Sequence, residues 1–236
     1  MIDENDLSQE LRSFYEERAK RVVAKLQKMN MNAIYTPTRD KALAAVIGMI
    51  PEGTKVARGD SISVDQIGVI DELKKRNRNE VSDPFERDAD GWSILKGKDK
   101  RQAQKEAFFA DVFITGANAI TLDGKVVSTD ASGTRVAPVI FGPEKVVLVI
   151  GANKIVKDLE SALKRIHEIA APINANRHVL KHHVPEFGLL PCVVTGVCTD
   201  CNHEWRICRY TVIIEGSMIG DKDRINVVLV GEELGI

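Results

Sequence analysis

Residues 145–150 form an almost continuously apolar run, and this run constrains the fold more than any other feature of the chain. Such a run is typical of a central strand that is buried on both faces of a parallel sheet. Further strand-like segments alternate with amphipathic helices, which indicates an α/β fold with a mostly parallel sheet and helices on both faces. The other predicted strands lie at residues 33–37, 54–57, 112–115, 210–216 and 225–231, with a hairpin at 119–128.

Helices are predicted where apolar residues recur at steps of three and four, and the first of them covers residues 6–30. Ser63 and Gln66 form a capping-box pair, which predicts the start of another helix. Asn153 is the expected N-cap of the helix that follows the central strand.

Two polar segments, residues 77–98 and 171–208, are expected to be irregular. We divide the chain into a helical extension at residues 1–50, which packs on the core, and an α/β domain at residues 51–236. The domain includes a cysteine-bearing segment at residues 191–208. The long first helix packs either on its own domain or on a second subunit, and the second arrangement would produce a homo-oligomer.

The charges are balanced, since 33 Lys and Arg against 34 Asp and Glu give a formal net charge of −1. This balance argues against a nucleic-acid-binding protein, which carries a basic surface. No apolar run approaches the roughly 20 residues that a membrane-spanning helix needs. The acidic and polar N-terminus does not have the pattern of a secretory signal. We therefore expect a cytoplasmic protein with no membrane span and no nucleic-acid partner.

All four cysteines lie within one short segment, at Cys192, Cys198, Cys201 and Cys208. Thiolates two residues apart can bind one metal ion, and two further sulfurs complete a tetrahedral set, so these are candidate ligands for zinc or an iron–sulfur cluster. The spacing matches neither a common zinc finger nor a ferredoxin. Two alternatives stay open: redox-active thiols, including a reversible Cys198–Cys201 bridge, and reduced thiols with no chemical role.

A polar loop follows the predicted hairpin and contains Asp130, Ser132, Gly133, Thr134 and Arg135. The guanidinium group and the backbone N–H groups of such a loop suit a phosphate or a carboxylate, and the carboxylate of Asp130 suits an acid or a base. The alternative is a solvated loop that contains an Asp–Arg ion pair.

A second polar loop joins a predicted strand to a predicted helix and contains Gly59, Asp60, Ser61 and Ser63. In an open α/β sheet this position is at the carboxyl edge of the strands, where ligands usually bind. Hydroxyl and N–H groups at a helix start suit an anion. Asp60 would oppose an anion unless it pairs with Arg58 or another cation. No dinucleotide fingerprint or P-loop is present in the sequence.

Three histidines, His178, His182 and His183, lie close together in the sequence, the first two at a spacing that shares one face of a helix. They lack the H-E-x-x-H pattern of a zinc site, so we expect exposed histidines rather than metal ligands.

Longer blocks of the sequence resemble the LUD domain, the lactate-utilisation family. The block at residues 110–166 is ADVFITGANAITLDGKVVSTDASGTRVAPVIFGPEKVVLVIGANKIVKDLESALKRI, and AAPINANRH follows at 170–178. The tail PCVVTGVCTDCNHEWRIC at residues 191–208 is similar to the cysteine-bearing branch of that family. RGDSISVDQIG at residues 58–68 fits the strand–loop–helix element of the family.

The resemblance implies a core similar to ribose-phosphate isomerases, CoA transferases and formyltetrahydrofolate cyclo-ligases. Family members are linked to the oxidation of L-lactate to pyruvate beside iron–sulfur partner subunits, whereas many stand-alone members have no assigned activity. The resemblance transfers the positions of the two polar loops and no catalytic role for a residue. Whether the chain turns over a substrate is left open.

We therefore expect a LUD-family protein that binds a small anionic metabolite, a hydroxy or keto acid, between the two polar loops. Arg135 would hold the anionic group, and Asp130 would orient it or move a proton. One alternative is a non-catalytic subunit of a redox complex, in which the cysteine segment binds a metal or a cluster. Another, by fold analogy alone, is a phosphosugar isomerase or an acyl-transfer enzyme.

Overall fold

The structure is a computed structural model that describes residues 4–236. Within these residues the chain forms ten strands: β1 (Asn32–Thr36), β2 (Lys55–Arg58), β3 (Glu80–Ser82), β4 (Val112–Thr115), β5 (Ala119–Thr121), β6 (Val126–Asp130), β7 (Lys145–Gly151), β8 (Ile155–Val156), β9 (Tyr210–Ile214) and β10 (Ile225–Val230).

The same residues form nine α-helices: α1 (Ser8–Lys28), α2 (Arg39–Gly48), α3 (Ile62–Ile67), α4 (Val69–Arg76), α5 (Gly97–Glu106), α6 (Val136–Ile140), α7 (Leu159–Arg165), α8 (Ala171–His182) and α9 (Pro191–Thr195). No helix in the described part of the chain is both long enough and apolar enough to span a membrane.

The main sheet has six strands in the order β1-β10-β7-β4-β2-β3, and all of its pairings are parallel. The apolar strand β7 lies in the interior of this sheet, between β10 and β4. Val147 and Val149 point into one hydrophobic cluster, and Leu148 and Ile150 point into another on the opposite face. The sequence prediction of a parallel α/β fold, with β7 buried on both faces, is confirmed.

Helices cover both faces of the main sheet because each presents an apolar stripe to it. On one face, α1 buries Ala19, Val22 and Leu26 at three- and four-residue steps, beside the hairpin formed by β5 and β6. On the other face, α2, α3 and α4 bury their apolar residues against β2, β4, β7 and β10.

A smaller sheet has the order β8-β5-β6-β9 and carries the predicted hairpin. Its turn is formed by Asp123 and Gly124, and Gly124 has a φ of 96°, a conformation that suits glycine. The side chain of Thr121 donates a hydrogen bond to Asp123. The hairpin positions the loop after β6 beside the carboxyl edge of the main sheet.

The first 50 residues contribute directly to the main sheet. Strand β1 pairs with β10 along its whole length, from Asn32 opposite Asn226 to Thr36 opposite Val230. The main sheet therefore crosses the division drawn at residue 50 in the sequence analysis.

Two helix starts differ from the sequence prediction. Ser61, not Ser63, is the N-cap of α3, and its side chain accepts a hydrogen bond from the Val64 N–H. The predicted single helix is two, because Gly68 adopts a left-handed conformation with a φ of 72° and ends α3 before α4 begins. After β7, Asp158 rather than Asn153 caps α7.

The segment at residues 171–208, which the sequence analysis expected to be irregular, begins with helix α8. A π-helical turn at Ile166–Ala170 joins α7 to α8, so residues 159–182 are continuously helical. Pro172 lies in the first turn of α8, directly after this π-helical turn. This helix delivers side chains to the site described next.

Candidate functional site

A cavity of about 280 Å³ lies at the carboxyl edge of the main sheet. Asp60 follows β2, Asn118 follows β4 and Lys154 follows β7, and all three line the cavity. The loop after β6 closes one side, and α8 closes another. The position agrees with the general rule for ligand sites in open α/β sheets.

The structure brings the two predicted polar loops together at this cavity. Of the predicted site residues, those that line the cavity are Asp60, Ser61, Asp130, Ser132, Thr134, Arg135 and Cys208. Gly59, Ser63, Gly133 and the other three cysteines do not line it.

Gly59 and Ser63 nevertheless shape the cavity from behind. A Cβ atom at Gly59 would fall 2.6 Å from Thr115 Oγ1 and 3.0 Å from Arg135 Cγ, so the absence of a side chain lets the two loops approach each other. Ser63 is fully buried, and its hydroxyl lies 3.0 Å from the Lys154 amine. Gly133 has a φ of 84°, which shapes the tight loop between Asp130 and Arg135.

Asp130 organises its own loop. Its Oδ1 accepts hydrogen bonds from the N–H groups of Ala131 and Ser132, and its Oδ2 accepts them from Arg135 and Val136, at 2.6 to 3.4 Å. These bonds occupy both carboxylate oxygens and also the backbone N–H groups that the sequence analysis offered to an anion. The geometry therefore makes Asp130 a positioning residue for the loop rather than a free base.

Arg135 lies against the cavity with part of its guanidinium group already held. Its Nη2 donates to Asn118 Oδ1 at 2.9 Å and to the Thr129 carbonyl at 2.6 Å. Among residues 4–236, no hydrogen-bond partner is found for its Nε or Nη1 groups. A fixed guanidinium with free donors suits an anion, because the side chain is oriented before the ligand arrives.

Asp60 has the cationic partner that an anion site at this loop requires. Its Oδ1 lies 3.2 Å from Nη2 of Arg177, a residue of α8. Burial opposes ionisation of Asp60, but Arg177 and Arg58 outweigh it and hold the pKa of this carboxyl below its ordinary value. Asp60 is therefore a carboxylate at neutral pH, and its charge is balanced by arginines.

Two further cations line the cavity, Arg87 from the segment between β3 and α5 and Lys100 from α5 itself. Arg87 donates to the Gly91 carbonyl at 2.8 Å, and Lys100 donates to the Ser93 hydroxyl at 2.8 Å. Burial lowers the pKa of Lys100, and the neighbouring Arg87 lowers it further. The positive charges of Arg87 and Lys100 repel each other, and an anion bound in the cavity would offset this repulsion.

Lys154 is the most unusual group in the cavity wall. Its side chain is only 5% exposed, and its Nζ donates to Ser63 Oγ at 3.0 Å. The nearby charged groups that act on it are the guanidinium groups of Arg165 and Arg135. Burial first, and then these two cations, lower the pKa of Lys154 to about 7. A buried amine in this state is typical of functional sites.

The backbone of Gly235 packs directly on the Lys154 amine. A Cβ atom there would fall 2.6 Å from Lys154 Nζ and 2.7 Å from Ser63 Oγ, and Gly235 has a φ of 67°. The preceding residue, Leu234, is fully buried and donates its N–H to Asn153 Oδ1 at 3.1 Å. The segment after β10 therefore confines the amine.

The histidines are not the exposed side chains that the sequence analysis expected. His182 is buried, and His178 is partly buried in the cavity wall, with its Nδ1 2.9 Å from Nδ1 of His182. Burial lowers the pKa of His178 to about 4 and that of His182 to about 3. Both rings are neutral at pH 7, because α8 turns this face inward. His183 is exposed, as expected.

The cysteine segment packs beside the same cavity. Its four cysteines are free, partly buried thiols, and Cys208 lines the cavity. Burial raises the pKa of the Cys192 thiol, and the proximity of the other three thiols raises it further. Cys198 Sγ lies 3.5 Å from His167 Nδ1.

The loop of this segment is tied together by Arg206. Its guanidinium donates to the carbonyls of Cys201 at 2.5 Å and Cys208 at 2.9 Å, and to the Asp200 carboxylate at 2.9 Å. Within residues 4–236, no three His, Cys, Asp or Glu side chains are grouped closely enough to hold a metal ion. As placed, the four sulfurs do not form a tetrahedral ligand set.

Four residues of the cavity wall were not predicted from the sequence: Lys154, Arg177, Arg87 and Lys100. The signal for Lys154 was present, since it is the first charged residue after the buried strand β7 and therefore lies at the ligand-binding edge. Arg177 had no such signal, because its placement depends on how α8 folds back over the sheet.

The LUD domain family model matches residues 19–230 of the chain. No protein with a curated description matches it. Among solved structures, the chain is similar to a DUF162 family protein from Deinococcus radiodurans, with a TM-score of 0.49 and 12% sequence identity. The similarity covers 93% of this chain and 98% of that chain.

Proposed function

The chain belongs to the LUD domain family, and from this premise we propose that its cavity binds a small anionic metabolite, a hydroxy or keto acid. The observation that carries the proposal is the charge of the cavity wall. Four cationic side chains, Arg87, Lys100, Arg135 and Arg177, line it together with the partly protonated amine of Lys154, against the two side-chain carboxylates of Asp60 and Asp130.

The cations outnumber these two carboxylates, each of which is already held in place by other groups. Asp60 is paired with Arg177, and both oxygens of Asp130 accept backbone N–H groups. Burying like charges together is unfavourable unless an opposite charge joins them. An anion in the cavity supplies that charge, and a volume of about 280 Å³ suits a ligand of metabolite size.

We expect Arg135→Ala to weaken the binding of carboxylates by roughly 10- to 100-fold, because it removes a charge-assisted hydrogen bond worth about 1.5–3 kcal/mol. Binding of L-lactate, pyruvate and inorganic phosphate is measured by titration calorimetry at low salt. Arg78→Ala is the control, since Arg78 is an exposed arginine paired with Glu52 outside the cavity.

Arg135→Lys completes this comparison, because it keeps the charge while losing the fixed fork of donors. Thermal unfolding of every variant checks that the loop has not collapsed. If Arg135→Ala binds each of these anions as tightly as the unchanged protein, the cavity is not the anion site and the proposal is wrong.

The family resemblance extends the proposal to a role in lactate-type oxidation beside iron–sulfur partner subunits. The cavity chemistry supports the part of this role that concerns the ligand, since lactate and pyruvate are both small carboxylates. An interaction with partner subunits rests on the resemblance alone.

A second candidate function is favoured by the cysteine segment. The four thiols are close enough to act on one another electrostatically, and Arg206 holds the carbonyls of Cys201 and Cys208 in one loop. On this basis the segment would bind zinc or an iron–sulfur cluster after a local rearrangement that converges the sulfurs, and the protein would act as a subunit of a redox complex.

Metal analysis tests this second candidate. We expect anaerobically purified protein to contain near-stoichiometric zinc or iron by mass spectrometry, and Cys198→Ser/Cys201→Ser protein to contain neither. An optical spectrum of the same sample distinguishes a cluster from zinc, and pyruvate binding by the double variant checks that the cavity is intact. Four titratable thiols with no bound metal would contradict the candidate.

A further inference from the structure

We propose that Lys154 forms a Schiff base with the carbonyl group of a 2-oxo acid bound in the cavity. This inference rests on the proposed function, because it needs the carboxylate of the acid to be held there. It goes further by assigning a covalent step to one amine and by selecting oxo acids over hydroxy acids.

The position of the amine supports the proposal. Lys154 ends the short turn between β7 and β8, and β7 is an interior strand paired with β4 and β10, so its backbone is fixed at the carboxyl edge of the sheet. Its side chain is buried, lines the cavity and donates to Ser63 Oγ at 3.0 Å. An amine presented on a rigid element inside a small cavity is oriented for reaction with a bound ligand.

The charges around the amine favour its neutral form. A structural lysine in a protein interior is ordinarily paired with a carboxylate. Lys154 is instead close to Arg135 and Arg165, which disfavour protonation, and its pKa of about 7 leaves a large neutral fraction at physiological pH. Asp60, Asp130 and His178 also line the cavity, but Asp60 and Asp130 are held by other partners.

The covalent step balances without an added oxidant or reductant. The nitrogen lone pair of neutral Lys154 attacks the carbonyl carbon, and the carbonyl oxygen takes a proton from the nitrogen to give a carbinolamine. The carbinolamine then loses its hydroxyl group together with the second nitrogen proton as water, leaving an imine. Hydrolysis by water reverses the step, so the imine forms only while the ligand is bound.

The free donors of Arg135 explain why a 2-oxo acid is the class of ligand proposed. The free donors of Arg135 can hold the carboxylate, and the carbonyl carbon of a 2-oxo acid is directly bonded to that carboxylate. Arg135 and Lys154 line the same cavity, and the charge of Arg135 acts on the amine. A hydroxy acid offers the same carboxylate but no carbonyl to attack.

The test is reductive trapping with pyruvate and cyanoborohydride, followed by intact-mass and peptide analysis. Hydride adds to the imine and gives a secondary amine, so the protein gains the mass of one pyruvic acid less one oxygen atom. We expect one adduct per chain, located on Lys154, with a yield that rises as the pH increases through about 7. L-lactate in place of pyruvate gives no adduct.

Lys154→Arg is expected to form no adduct on the cavity wall, whereas Lys157→Arg, which alters an exposed lysine outside the cavity, keeps the adduct on Lys154. Pyruvate binding is measured on the same samples by calorimetry. Binding without an adduct on Lys154, or equal labelling of exposed lysines, overturns the inference and leaves the proposed function standing. The absence of both binding and adduct overturns the two together.

Discussion

Replacing Lys154 by methionine is expected to stabilise the protein at pH 7 by about 2–4 kcal/mol, a large effect for a single substitution. The pKa of this buried amine falls from 10.5 to about 7, so folding disfavours the charged form that the unfolded chain holds. At about 1.36 kcal/mol per pKa unit the full shift is larger than the expected gain. Imperfect packing of the methionine and the loss of the hydrogen bond to Ser63 reduce it.

The sign of the pH dependence follows from the same shift. Between pH 7 and 10.5 the unfolded chain binds a proton at Lys154 that the folded protein does not, so stability rises with pH by up to about 1.4 kcal/mol per unit from this group. Below pH 7 both states become protonated and the penalty is constant. The advantage of Lys154→Met is therefore largest at or below pH 7 and shrinks as the pH increases.

Urea unfolding of both proteins at several pH values between 6 and 10 measures this difference. Lys157→Met is the control, because Lys157 is three residues away and its side chain is 84% exposed. A difference between Lys154→Met and the unchanged protein that does not vary with pH would show that Lys154 keeps its ordinary pKa.

Asp60→Asn is expected to have two opposite effects, a loss of stability of about 2–3 kcal/mol and a gain in anion affinity of about tenfold at low salt. The substitution leaves Arg177, which is 18% exposed, without its carboxylate partner, and removes a negative charge that also acts on Arg58 and Arg87. The cavity wall becomes more positively charged. Repulsion among its cations then destabilises the folded protein, and a bound anion is attracted more strongly.

Urea unfolding measures the first effect, and calorimetry with inorganic phosphate measures the second. Asp65→Asn is the matched control, since Asp65 also pairs with Arg58, at 2.5 Å, but does not line the cavity. It is expected to reduce stability without increasing anion affinity. Equal phosphate affinity in Asp60→Asn and the unchanged protein would show that anions bind elsewhere.

The stability that Asp60 contributes also has a defined pH range. Its folded pKa lies below its ordinary value of 3.8, so the contribution is complete at neutral pH and is lost as the pH falls through the lower folded value. The Asp60→Asn variant lacks this acid-side loss, so its free energy of unfolding converges with that of the unchanged protein as the pH falls below about 3.8.

Features that depend on short stretches of neighbouring residues were predictable from the sequence. The apolar run of β7, the hairpin turn at Asp123 and Gly124, and the apolar stripe of α1 each depend on neighbouring residues only. Local patterns predicted the wrong residue where two serines were candidate N-caps of the same helix. Ser63 had a suitable partner three residues later, but Ser61 lay in the extended conformation that an N-cap needs, and its side chain capped the helix instead.

The candidate site was predictable in part, because chain position relative to the strands indicates which loops reach the carboxyl edge of a parallel sheet. Asp60 was identified in this way and Arg135 from the polar composition of its loop, and the structure places both at the cavity. Asp130 was predicted to act as an acid or base. That its carboxylate accepts the loop's own N–H groups could not be predicted, because such bonds depend on the turn that the loop adopts.

The amino-acid sequence alone indicated the class of fold, the order of the strands along the chain and the two polar loops that meet at the cavity. These follow from the periodicity of apolar residues and from turn residues, which act over a few positions. Only the tertiary structure decided that Lys154, Arg135 and Arg177 share one cavity, and that the Lys154 amine is buried beside arginines. Burial and distances between charges depend on segments far apart in the chain, and these set the state of the amine and the chemistry available to it.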